Sequence, residues 1–133
     1  MAGDTLETVD SDGGSYKVKN DCRKVFKLAD GRLYGGANAS EDIIRLQQAL
    51  EKGQPPPKLD DIAGLLIDRR GRIWLYEGNI WQRISGKYYA IGSGAICALS
   101  AMDAGASAIE AVRIGIKRDV FSGGKVMSVR LGR

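Results

Sequence analysis

At 133 residues the chain can bury one hydrophobic core and is too short for two ordinary domains, so residues 1–133 are expected to form a single domain. Hydrophobic residues at 44% and charged residues at 27% place it among globular rather than disordered proteins. A net charge of +4 invites a nucleic-acid reading, but the basic residues are scattered from Lys17 to Arg133. No basic stripe with interleaved aromatics and no RNA- or DNA-binding signature is present, so nucleic acid is not an expected partner.

The complete absence of histidine is a sharper constraint. It removes Ser-His-Asp and Cys-His catalysis, zinc–histidine sites and histidine proton shuttles. No apolar run reaches the length that spans a bilayer, and the polar, acidic start does not read as a secretory signal. Cys22 and Cys97 fall in predicted regular structure, which is expected of buried free thiols in a reducing cytoplasm. Neither a metal nor a cofactor is expected.

Residues 1–22 read as the end of a strand, an acidic turn at Asp10-Ser11-Asp12-Gly13-Gly14 and a polar strand around Tyr16–Lys19. Asp30-Gly31 predicts a hairpin between Val25–Leu28 and Arg32–Gly35. Asn38 with Glu41 resembles a capping box that opens a helix running to Lys52, with Ile43, Leu46 or Gln47, and Leu50 inward. Gly53-Gln54-Pro55-Pro56-Pro57 ends it and continues as a stiff extended connector.

Strands follow at Ile62–Asp68, Arg72–Tyr76 and Asn79–Ile84, the first two joined by a basic hairpin tip at Arg69-Arg70-Gly71. The aromatic residues Trp74, Tyr76, Trp81 and Tyr88 are read as a packed sheet face or a subunit interface. Tyr88–Ile91 predicts a short buried strand, and Gly92-Ser93-Gly94 a sharp turn. Next comes a helix whose small face is Ala95, Ala98 and Ala101. Ser107 and Glu110 then cap a second helix, carrying Ile109, Val112 and Ile116 and ending at Asp119. Ser122-Gly123-Gly124 turns into a last strand, Lys125–Leu131. This order matches two sheets sandwiched between helical layers.

The stretch Tyr88–Asp119 closely resembles the C-terminal half of proteasome β-type subunits, especially the bacterial HslV peptidase and its shorter phage and prophage relatives. The resemblance extends upstream through Asp21–Leu28 and Gly35-Gly36-Ala37, and is patchy between Gly53 and Tyr88. It implies a four-layer αββα sandwich of the N-terminal-nucleophile hydrolase class, α+β, with the first strand missing and the first helical layer abbreviated. It also implies a threonine-type peptidase acting on peptides or unfolded proteins within a ring-shaped homo-oligomer, with an ATPase as a conceivable partner.

Residue by residue, the resemblance places Asp4 (in Met1-Ala2-Gly3-Asp4-Thr5) beside the nucleophile to orient Lys24. It makes Lys24 the group that tunes the nucleophile, Gly36 the backbone donor to the oxyanion, and Ser93 and Asp119 the holders of the nucleophile's amine. Such chemistry needs no histidine, because an α-amine titrates near neutrality and can act as the base. Asp119 also sits badly against the negative end of its helix dipole, which favours a separate reason for its presence.

The family's chain opens with a strand that begins in threonine, whereas this sequence begins within what resembles the second strand. Met1 and Ala2 carry no hydroxyl, and freeing Thr5 would remove Asp4. Two expectations follow. The sequence is a truncated or late-started form of a peptidase subunit and is inactive as it stands, or it is a non-catalytic assembly subunit.

Overall fold

The computed structural model describes residues 1–3, 7–11, 14–19, 22–119 and 122–132, with backbone pairing alone for 7–11 and 14–19. The elements in chain order are β1 (Ala2–Gly3), β2 (Glu7–Ser11), β3 (Gly14–Lys19), β4 (Val25–Lys27), β5 (Leu33–Asn38), α1 (Ser40–Lys52), β6 (Ile62–Ile67), β7 (Ile73–Glu77), β8 (Ile80–Ile84), α2 (Ala95–Asp103), α3 (Ala108–Arg118) and β9 (Met127–Ser128).

The period-two apolar runs become one antiparallel sheet in the order β4-β5-β6-β7-β8. Alternation decides its two faces. Ile62, Gly64 and Leu66 of β6 are buried, while Ala63, Leu65 and Ile67 between them are half-buried on the opposite side. The buried face receives α1, whose Ile43, Leu46 and Ala49 point inward. Two glycines permit this approach. A Cβ on Gly36 would stand 2.7 Å from Ile43 Cγ1, and one on Gly64 would stand 2.9 Å from Leu46 Cδ2. The fully buried Tyr34 hydroxyl donates to the Ile43 carbonyl at 2.9 Å, so the polar tip of a core residue is satisfied by the helix it packs against.

Two of the three hairpins of this sheet are each held by an aspartate. At Asp30-Gly31, with Gly31 at φ 91°, the carboxylate accepts from the Arg32 N–H and from Arg32 Nε at 2.7 Å. At the tip between β6 and β7, Asp68 accepts from the N–H groups of Arg70 and Arg72, from Arg72 Nε at 2.6 Å and from Trp74 Nε1 at 3.2 Å. Desolvation pushes the Asp68 carboxyl up. The hydrogen bonds from the Arg72 N–H, Trp74, the Arg72 guanidinium and the Arg70 N–H together outweigh it and hold the group well below the usual carboxylate range. Tyr76 and Trp81 pack ring to ring with centroids 5.0 Å apart, which accounts for these two aromatics as sheet packing.

On the other face lies the two-stranded sheet β1-β9. A Cβ on Gly3 would meet Val25 Cγ1 at 3.1 Å and one on Gly35 would meet Met1 Sδ at 2.8 Å, so β1 rests on β4 and β5. Helix α3 packs against β1 and pairs with α2. The layers therefore run α1, five-stranded sheet, β1-β9, then α2 and α3. This is the α+β sandwich with antiparallel sheets inside, and β2-β3 forms a separate hairpin. Among the described residues, no helix is long and apolar enough to cross a membrane.

Three local expectations are corrected. Tyr88–Ile91 pairs with no strand among the described residues; instead the Tyr88 hydroxyl donates to Asp103 and fastens the segment to the end of α2. The last strand is Met127–Ser128, paired with Ala2 and Gly3 of β1. The Asn38/Glu41 capping box does not form: Ala39 is the N-cap and makes no side-chain cap bond. The Ser107/Glu110 cap does form, with the Glu110 N–H donating to Ser107 Oγ at 3.2 Å.

Gly64→Ala is expected to lower unfolding stability by about 1–3 kcal/mol, because the added methyl collides with a fully buried leucine; urea denaturation measures it. Asp68→Asn tests the hairpin by pH. A depressed folded-state pKa gives stability that is present above the unfolded value of about 3.9 and is lost as pH falls toward the folded one. The wild-type chain should therefore lose more stability than Asp68→Asn below about pH 4.

Candidate active site

Between the five-stranded sheet and the α2–α3 pair lies a cavity of about 880 Å³. Lys24, Gly36, Asn38, Ser93 and Ser122 all contribute to its wall. Its most organised feature is a carboxylate at the end of α3. Asp119 Oδ2 accepts from Ser93 Oγ at 2.6 Å and from Ser122 Oγ at 2.7 Å. Both hydroxyls spend their proton on Asp119, so each keeps lone pairs that can accept from an ammonium or a second hydroxyl.

Glycines bring these groups together. Gly92, at φ 93°, turns the chain so closely that a Cβ there would lie 3.4 Å from Ala37 Cβ of β5. A Cβ on Gly94 would lie 3.1 Å from Ser122 Oγ and 3.8 Å from Asp119 Oδ2, and Gly115 Cα stands at 3.8 Å from the same point. The glycine pair Gly94 and Gly115 lets the start of α2 meet α3, and Ser93 reaches Asp119 as a result.

On the opposite wall, Lys24 stands just before β4, half-buried, and its carbonyl accepts the Gly36 N–H at 2.9 Å. That N–H is thus engaged in the β4-β5 ladder. The Ala39 N–H is engaged too, with the Asp61 carbonyl at 3.0 Å. Backbone groups alternate sides along a strand, so the Asn38 N–H leaves β5 on the β4 side, past the end of that ladder. Asn38 has φ 81°, a left-handed conformation that asparagine tolerates better than most residues.

Of the residues expected from the sequence, Lys24, Gly36 and Ser93 line one cavity and Asp119 is bonded to Ser93 at its edge. Asp4 lies outside the described residues. Two residues were not anticipated. Ser122 is three residues after Asp119 and was read only as a turn. Asn38 was read as a helix cap. Among the described residues, no group of three histidine, cysteine, aspartate or glutamate side chains could hold a metal ion.

The amine of Met1 donates to the Val129 carbonyl at 3.0 Å, and the Val129 N–H returns a bond to the Met1 carbonyl at 2.9 Å. Desolvation, aided by the nearby Arg130 cation, lowers the pKa of this amine below the ordinary value.

The layer order is that of an α+β sandwich already seen in solved structures. It is the fold of proteasome β-type and HslV peptidases. Eukaryotic HslV from Trypanosoma brucei superposes with a TM-score of 0.74 at 21% identity, over 95% of this chain and 88% of that one. BPH from Thiobacillus denitrificans superposes with a TM-score of 0.69 in its complex with epoxomicin and 0.66 in a second structure. Each is 20% identical, over 95% of this chain and 88% of that one. The sequence matches no protein-family model and no curated protein.

Asp119→Ala leaves two hydroxyls without their shared acceptor and should cost about 1–2 kcal/mol of stability, against under about 1 kcal/mol for Ser93→Ala. Denaturant titration of the two variants checks the order.

Proposed function

We propose that residues 1–133 form a single domain that serves as a subunit of a threonine-type peptidase, hydrolysing peptide bonds of peptides or unfolded proteins inside a cytoplasmic ring of identical subunits. The observation that carries this reading is the convergence of the Ser93 and Ser122 hydroxyls on Asp119, facing a cavity whose other wall holds Lys24. In this reading the cluster holds the α-amine of an N-terminal threonine, which takes the proton from the threonine hydroxyl. The Lys24 ammonium favours the deprotonated nucleophile, and Asp4 orients Lys24. The tetrahedral oxyanion needs backbone donors that are not already bonded. Gly36 N–H is held by the Lys24 carbonyl, so this role passes to the Asn38 N–H one step further along β5.

Assembly into a ring is supported by apolar side chains left on the surface of the helical layer. Ile96 of α2 is 80% exposed and Ile114 of α3 is 41% exposed. An ATPase that delivers unfolded substrates is a further part of the proposal.

A second reading is a non-catalytic assembly subunit, which would use the exposed Ile96 and Ile114 side chains for ring building alone. The two readings part on covalent labelling of protein isolated from its native source. Under the first, epoxomicin adds its mass to the native chain and Lys24→Ala slows labelling roughly 100-fold or more. Under the second, no adduct forms.

A further inference from the structure

The five-stranded sheet ends on one side at β8, and among the described residues no strand pairs with the outer side of β8. The opposite edge, β4, is only three residues long and carries Lys27. β8 is longer and barely blunted. It reads Ile80-Trp81-Gln82-Arg83-Ile84, with one charge and no proline, and Ile80 is 56% exposed. Edges of this kind accept another strand.

The hairpin before β8 decides which backbone groups face outward. Its loop is Gly78-Asn79, with both residues left-handed at φ 60° and 62°. In such a two-residue loop the flanking residues, here Glu77 and Ile80, form a hydrogen-bonded pair. Pairs alternate from there. Gln82 and Ile84 direct their backbone groups to Leu75 and Ile73, so the N–H and C=O of Trp81 and Arg83 point away from β7. Side chains alternate too. Trp81 and Arg83 share the α1 face, where Trp81 packs on Tyr76, and Ile80, Gln82 and Ile84 share the other.

This edge is complementary to itself. An antiparallel neighbour must set outward groups against outward groups, which leaves a second β8 three registers. Centred on Trp81, the register sets Arg83 against Asn79, which sits in the turn. Centred on Arg83, it sets two like charges opposite each other, which is unfavourable. Centred on Gln82, it pairs Trp81 with the partner's Arg83 on both sides of the axis, through the outward backbone groups of both residues. Each guanidinium then meets an indole, and each exposed Ile80 meets an Ile84.

We propose that β8 is a two-fold interface through which two copies of this chain join their sheets edge to edge, in the register centred on Gln82. A two-fold contact requires a self-complementary patch, and this strand is one. The proposal is independent of the peptidase reading and of ring contacts through α2 and α3.

Sedimentation equilibrium of the 133-residue chain from about 1 to 300 μM reads the association, expected in the micromolar range because each copy contributes one short strand. Arg83→Pro removes an outward N–H without removing a bond to β7, and should weaken association about tenfold or more while the circular dichroism spectrum is unchanged. Register is read by oxidative cross-linking in a chain carrying Cys22→Ser and Cys97→Ser. Gln82→Cys should form a covalent dimer, since the two-fold brings facing Cβ atoms to about 5 Å. Ile84→Cys should cross-link at least about tenfold less, because it lies ~13 Å along the strand from its own copy. The cross-linking contrast decides the matter should Arg83→Pro fail to fold. A chain that stays monomeric at the highest concentration, association that folded Arg83→Pro leaves unchanged, or equal cross-linking at positions 82 and 84 would overturn the proposal.

Discussion

The approach of α1 to the five-stranded sheet sets the position of the rest. It depends on the absence of side chains at Gly36 and Gly64, which lets Ile43 and Leu46 settle onto β5 and β6. The Tyr34 hydroxyl then locks the contact at the Ile43 carbonyl. With α1 fixed, its first turn is tied to the start of β6: the Asp42 carboxylate accepts the Asp61 N–H at 2.9 Å and the Asp61 carbonyl accepts the Ala39 N–H. Between those anchors the chain turns through Asn38 in the left-handed region, at the cavity wall. A core-packing constraint is thereby transmitted to a backbone donor at the candidate site.

The other half of the site is set by a different glycine contact. Gly94 against Gly115 allows α2 and α3 to meet closely enough for Ser93 to reach the Asp119 oxygen that also accepts from Ser122. One wall is built from β5 and α1 and the other from the ends of two helices, and they meet where Gly92 approaches Ala37. The cavity between them is where the two structural units meet, and a reactive group placed there would touch both.

Much of this was legible in the sequence, for physical reasons that differ by element. The strands of the large sheet showed as alternation because one face is buried under α1 and the other is half-covered. The hairpin at Asp30-Gly31 showed because only a few residues tolerate its left-handed turn. Ser107 was recognisable as a cap because its partner Glu110 is three residues away. Asn38 followed the same pattern and misled, since tertiary bonds at Asp61, and not a local cap, decide how α1 starts. Tyr88–Ile91 looked like a strand by composition, but a strand needs a neighbour, and that neighbour is a fact of three dimensions. Ser122 carried no signal beyond its spacing from Asp119. The order of segments over the whole length pointed to the fold more strongly than any one motif did, and the superpositions at 20–21% identity agree with that reading.

The central proposal is that the Asp119 cluster and Lys24 serve a threonine bearing its own amine. The most direct measurement is the N-terminal sequence and intact mass of the protein isolated from its native source. The account predicts a mature chain that starts with threonine upstream of the present Met1. A native chain that starts at Met1 or Ala2 would contradict it, and would leave the fold to assembly or binding.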